Sequence, residues 1–120
     1  MLERIKTFKL PVTTCTIYNP RFDNAQEQTM SETGLSILND VIITQSTKVN
    51  LMYVDLSNFV FQYGIPVIDL KTLFNEPKDY ANAIEPDVPG GAKIVENILY
   101  VVNHHRFNEN ISSIYAKMRQ

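Results

Sequence analysis

The residues able to do chemistry concentrate in one stretch. Between residues 71 and 91 the chain carries Glu76, Asp79, Asn82, Glu85 and Asp87, followed by Gly90-Gly91. An acidic loop of this kind could supply a general acid or base, or oxygen ligands for a hard cation. A solvated loop whose carboxylates cap a helix explains the same composition more simply. Gly90-Gly91 ahead of a helix could cradle an anion. Without a fuller glycine pattern, a tight turn accounts for the pair equally well.

The other reactive side chains read as structural. His104 and His105 are adjacent at the expected C-terminal end of a helix, where the helix dipole favours positive charge. That end should lie far from the carboxyl ends of the strands. Cys15 is the only cysteine, so no disulfide forms within the chain, and in KLPVTTCTIY it reads as a buried small hydrophobe. Two histidines and one cysteine do not make a standard structural zinc site, and no cofactor or metal is expected. There is no Gly-x-Ser-x-Gly, Gly-x-Gly-x-x-Gly, phosphate loop or His-Glu-x-x-His.

These residues need elements to position them. Leu2, Ile5 and Phe8 recur at helical spacing and predict a helix over 1–9, closed by Pro11. Residues 11–18, PVTTCTIY, read as a buried strand ending at Asn19-Pro20. Thr29 to Glu32 has the form of a capping box, and Leu35, Leu38, Val41 and Ile42 then predict a helix over 31–44. The polar run 44–51 breaks it. Met52, Leu56, Phe59, Val60 and Tyr63 suggest a further helix ended by Gly64, although LMYVDL alone also fits a strand.

Residues 65–70, IPVIDL, read as a second buried strand. Residues 71–91 form a long loop, and loops of that length inside a domain are usually functional. Ala92, Val95, Ile98, Leu99 and Val102 line a helix; residues 106–120 form a polar tail with a weak helical pattern at Ile111, Ile114 and Tyr115. The order predicts an α/β fold with its two strands parallel through a right-handed crossover. In such sheets ligands bind beyond the carboxyl ends of the strands. Tyr18, Asn19 and Pro20, with Arg21 and Phe22, should therefore share a rim with the 71–91 loop and line a substrate there. Two parallel strands are too few for a covered sheet. An oligomeric partner or a further part of the domain should supply the rest.

With 120 residues, 44% hydrophobic and 20% charged, the chain is sized for one small globular domain. A net charge of −2, with basic residues never adjacent, argues against a nucleic-acid partner. No run approaches the roughly 20 apolar residues that span a membrane, and MLERIKTFKL lacks the apolar core of a signal peptide. A cytoplasmic location without a membrane partner is expected.

LPVTTCTIYNPRF, LSILNDVI, GIPVIDL and FNEPKDYANAIEPDVPGGAKI occur in that order, and together they resemble the C-terminal half of a branch of SGNH/GDSL-type hydrolases. The resemblance spans residues 1 to about 103, with CTIYNPRF and DYANAIEPDVPGGAKI its most specific pieces. It implies a partial three-layer α/β/α, flavodoxin-like domain over 1–105, with 106–120 as a tail. It also implies hydrolysis of carboxylic esters or related acyl groups by a serine nucleophile. Two departures matter. The family's Gly-Asp-Ser motif and its oxyanion glycine and asparagine would all precede Met1, which then looks like an internal position of a longer protein. The family's Asp-x-x-His corresponds to Asn82-Ala-Ile-Glu85, which has neither the histidine base nor its aspartate. Asn82, Glu85 and Asp79 are the residues this alignment offers in catalytic positions. The stretch 45–60 also looks longer than the family's connection.

Three readings follow. The first is a partial hydrolase, inactive alone, taking a small acyl-ester substrate once another polypeptide supplies the front half. The second is a non-enzymatic α/β interaction or dimerisation module, with a second copy or another chain as partner. The third is a small enzyme using the acidic loop with a metal.

Overall fold

The computed structural model describes residues 4–5, 8, 10–47, 49–50, 61–62, 65–109 and 111–116. Extended, β-branched residues build the centre. Strand β1 (Thr14–Cys15) runs parallel to β4 (Val67–Asp69), with Thr14 opposite Val67 and Cys15 opposite Ile68. Between them come helix α1 (Ala25–Thr47) and an antiparallel pair, β2 (Val49–Asn50) with β3 (Phe61–Gln62). After β4 follow a 3-10 turn (Pro77–Asp79), helix α2 (Val88–His104), a second 3-10 turn (Phe107–Glu109) and β5 (Ile114–Ala116). The main sheet has the order β1-β4-β5, parallel throughout. The fold is mixed α/β, and the 11–18 and 65–70 runs are adjacent and parallel as expected.

Alternation along the strands fixes which helix covers which face. Thr14, Thr16, Val67 and Asp69 share one face, and there Thr14 Oγ1 meets Ser46 Oγ of α1 at 2.7 Å. Cys15, Ile68, Leu70 and Tyr115 share the other, where they pack with Ile94, Ile98 and Val101 of α2. Both crossovers step the same way across the sheet, yet their helices lie on opposite faces. The sequence predicts only the crossover between the 11–18 and 65–70 strands; the one from β4 to β5 is additional, because residues 114–116 read as part of a tail.

Other expectations need correction. Helix α1 begins at Ala25, before the supposed capping box, because Asn24 Oδ1 accepts from the amides of Gln26 (2.9 Å) and Glu27 (3.0 Å). Thr29 lies inside the helix and bonds back to the Ala25 carbonyl at 3.0 Å. The helix also runs through the polar residues to Thr47, since buried Ser46 is held by Thr14 and its carbonyl by the Ser112 hydroxyl at 3.4 Å. Residues 114–116 form a strand instead of a helical tail: Val67 N donates to Ser113 O at 2.9 Å, and Tyr115 OH meets His105 Nδ1 at 3.0 Å. Of the helix expected over 52–63, residues 61–62 are paired in β3 and the remainder lies outside the described residues. In the expected 1–9 helix, residues 4–5 are helical and residue 8 is in a turn; the others lie outside the description. Cys15 is half-buried, and burial pushes its thiol up from the ordinary value.

The outer edge of β1 is closed at one point. Asn39, 3% exposed, accepts from Ile17 N at 2.7 Å and donates to Ile17 O at 2.9 Å, acting as a one-residue substitute for a neighbouring strand. Replacing Asn39 with leucine leaves both backbone groups without their partner. The expected loss is about 1–3 kcal/mol of unfolding free energy, measured by urea titration; a variant within 0.5 kcal/mol of the parent would show that water replaces the amide at no cost.

Candidate functional site

The carboxyl ends of β1 and β4 deliver two segments to one rim. Asn19 N donates to Lys71 O (3.1 Å) and Arg21 N to Ala83 O (2.8 Å), so the segment after β1 lies along the loop of residues 71–87, which ends at Val88, the start of α2, and not at residue 91 as expected. Two phenols tie them further: Tyr18 OH donates to Ile84 O at 2.8 Å and Tyr80 OH to Asn19 O at 2.6 Å. Phe74 stacks on Tyr18 with ring centroids 4.1 Å apart and meets Tyr80 edge-on at 5.0 Å. Burial, then the Glu85 carboxylate, raises the Tyr18 hydroxyl above its ordinary value. Burial also leads the rise at Tyr80, followed by Asp79, with Arg21 opposing it and Tyr18 adding to it. Both phenols thus stay protonated and act as donors.

The rim carries adjoining clefts. One is apolar, with a volume of ≈ 460 Å³, bounded by Ile17, Tyr18, Pro20, Phe22, Leu35, Leu38 and Ile84. The next, of ≈ 470 Å³, is polar and shares Pro20 and Phe22 with the first, adding Asn19, Arg21, Glu32 and Asn75. Asn82 borders a third, of ≈ 510 Å³, with Arg21 and Tyr80. Tyr18, Asn19 and Pro20 therefore face these clefts together. Asn19 Oδ1 is buried and accepts no hydrogen bond among the described residues.

The loop carboxylates and amides are mostly engaged in building the loop. Asn82 Oδ1 accepts from Ile84 N (2.9 Å) and Glu85 N (2.8 Å), a local turn on an exposed side chain. Asp87 caps α2 through Val88 N at 2.8 Å. Asp79 is 0% exposed and turned inward, where Oδ2 accepts from Asn75 N (3.1 Å), Glu76 N (3.0 Å) and Lys93 Nζ (2.7 Å). Glu85 is exposed, its carbonyl bonded to Ala81 N at 2.9 Å. The structure brings Asn82 and Glu85 together on one turn and places Asp79 apart from them, against α2.

The histidines stay with the far end of α2: His104 Nδ1 lies 2.7 Å from Tyr100 O, and buried His105 belongs to the β5 contact. Lys93, Asn39 and the Thr16–Asp69 pair were not picked out from the sequence. Thr16 Oγ1 donates to Asp69 Oδ1 and accepts from Leu70 N, both at 2.7 Å, fixing the carboxyl end of β4. Lys93 follows Gly90-Gly91 closely, but only its distance from Asp79 in space, across 14 residues, reveals its role.

Among the described residues no group of three or more His, Cys, Asp and Glu converges to hold a metal ion, and no helix is long and apolar enough to cross a membrane. Fold and rim define an α/β protein with a small parallel three-stranded sheet and clefts at the carboxyl ends of its strands. No family model, no curated protein and no solved structure matches the chain.

Proposed function

We propose that this chain is the rear portion of an SGNH/GDSL-type, flavodoxin-like hydrolase domain, forming one wall of an acyl-ester cleft and inactive alone. The apolar cleft carries the reading: it lies at the carboxyl rim and is walled by Tyr18, Pro20 and Ile84 from the two segments with the most specific resemblance. The nucleophile and oxyanion donors, which supply most of such catalysis, have no counterpart among these 120 residues. Asn82 and Glu85, exposed on one turn, remain the positions where the family's base would stand. Purified chain with nitrophenyl acetate is expected to release nitrophenol no faster than serum albumin. Turnover above that control, abolished by one serine substitution, would overturn the reading.

A second reading, a non-enzymatic dimerisation module, is favoured by apolar side chains open on both helices. Ile37 and Val41 of α1 are 65% and 50% exposed, and Val95 and Leu99 of α2 are each 54% exposed.

A further inference from the structure

Helix α2 has two apolar faces. Ile94, Ile98 and Val101 pack on the sheet. Val88, Ala92, Val95, Leu99 and Val102 recur at alternating spacings of four and three on another face, and all five are exposed. A solvated helix face would be polar; this spacing is that of a helix-packing seam. At roughly 100° per residue the seam lies on one flank of the sheet-facing stripe. Tyr100, on the opposite flank, touches Tyr115 of β5 with ring centroids 6.3 Å apart. The seam therefore turns toward β1. On that side Thr14 N and Thr16 N bond to β4, so the backbone groups of Thr13 and Cys15 point outward, without a partner strand among the described residues.

We propose that a second copy of this chain covers both features, across a two-fold axis perpendicular to the sheet. The inference rests on the dimerisation reading. Such an axis pairs residues 13–15 antiparallel with their copy and keeps both α2 helices on the same face. Strands are ~4.8 Å apart, so helices seated over β1 and β4 of the two copies lie on the order of 10–14 Å apart, close to helix-packing distance. The seam is self-complementary in size. Centred on Val95, an antiparallel pair sets Val88 against the copy's Val102 and small Ala92 against the copy's large Leu99. Asn39 occupies the backbone of Ile17 and so limits strand pairing to residues 13–15. One helix pair and one short strand pair bury on the order of 1,000 Å², the lower bound for a specific interface. Glu96 flanks the seam and meets its own copy, so Glu96→Gln tightens the dimer.

The test uses the full chain with Cys15→Ser as background. Light scattering after size exclusion is expected to show a dimer at tens of micromolar, with Leu99→Glu monomeric and unchanged in circular dichroism. Under mild oxidation Val95→Cys is expected to form an interchain disulfide. Val88→Cys is not, because an antiparallel pair holds the two copies of residue 88 roughly 20 Å apart. Linkage of both cysteines would mean a parallel pair and overturn the arrangement. A dimer that survives Leu99→Glu and links neither cysteine would overturn the seam while sparing the dimerisation reading. A monomer at hundreds of micromolar would overturn both. If Leu99→Glu unfolds, the cysteine pair and a tighter Glu96→Gln dimer decide alone.

Discussion

Replacing Asp79 with asparagine is expected to lower the unfolding free energy by roughly 3–5 kcal/mol, the usual cost of breaking a buried ion pair from one side. The carboxylate is wholly buried and joins two loop amides, Asn75 and Glu76, to Lys93 on α2. A neutral amide leaves the Lys93 ammonium without its counter-charge. Lys93 keeps 28% of its side chain exposed, which favours the lower end of the range. Lys93→Met, which strands the buried carboxylate instead, should cost a similar amount. The double variant should cost clearly less than the sum, because the partners share one interaction. Additive losses in urea titrations would show that the pair is not coupled.

The same group sets an acid limit. Burial opposes ionisation of Asp79, but the Lys93 ammonium and the Asn75 and Glu76 amides outweigh it and hold the carboxyl below its ordinary value. A carboxyl depressed in the folded state adds stability that is fully present above the unfolded value, about 3.9. That stability is lost as pH falls from there toward the folded value. The parent should therefore lose more stability than Asp79→Asn between pH 5 and pH 3, in matched urea midpoints. Equal losses would assign the acid sensitivity elsewhere.

Gly90→Ala is expected to cost about 3 kcal/mol, the upper end of the range for forced overpacking. A methyl there would run into the Asp79 carbonyl, and would lie 2.8 Å from Phe74 Cζ. Phe74 cannot swing away, since its ring is buried and stacked on Tyr18. The helix start would have to back away from the 3-10 turn, loosening the Asp79–Lys93 contact and the rim. Gly91 is the internal control. Nothing lies within 4 Å of a Cβ built there, so Gly91→Ala is expected to be neutral or to stabilise by up to about 1 kcal/mol through helix propensity. Thermal midpoints moving the same way for both variants would contradict the close approach.

Part of this was legible before any coordinates. PVTTCTIY and IPVIDL are β-branched, apolar and followed by turn signals, so local sterics favour extended chain in both; β4 is buried as expected, whereas β1 covers only Thr14–Cys15, is half-buried, and leaves Ile17 exposed. Helix-capping carboxylates are expected in the 71–91 stretch, and Asp87 is one; it starts α2 at Val88, four residues before the expected Ala92, so Gly90-Gly91 lie inside the helix and not in a turn ahead of it. These features depend on residues a few positions apart.

Other features depend on residues far apart in sequence. Strand β5 shows only a weak, helix-like pattern at Ile111, Ile114 and Tyr115, because an edge strand is held by backbone bonds to β4 and by one tyrosine, and Ile114 stays 53% exposed. α2 carries apolar residues on two faces, so periodicity predicts a helix without saying which face packs. The pattern Ala92, Val95, Leu99 and Val102 marks the exposed one. Asp79 looked like any loop carboxylate; its inward turn is decided by Lys93, a helix away. Sequence periodicity reports how each segment exposes its own side chains, whereas the sheet edge, the packed face and the buried ion pair are settled when separate segments compete for the same space.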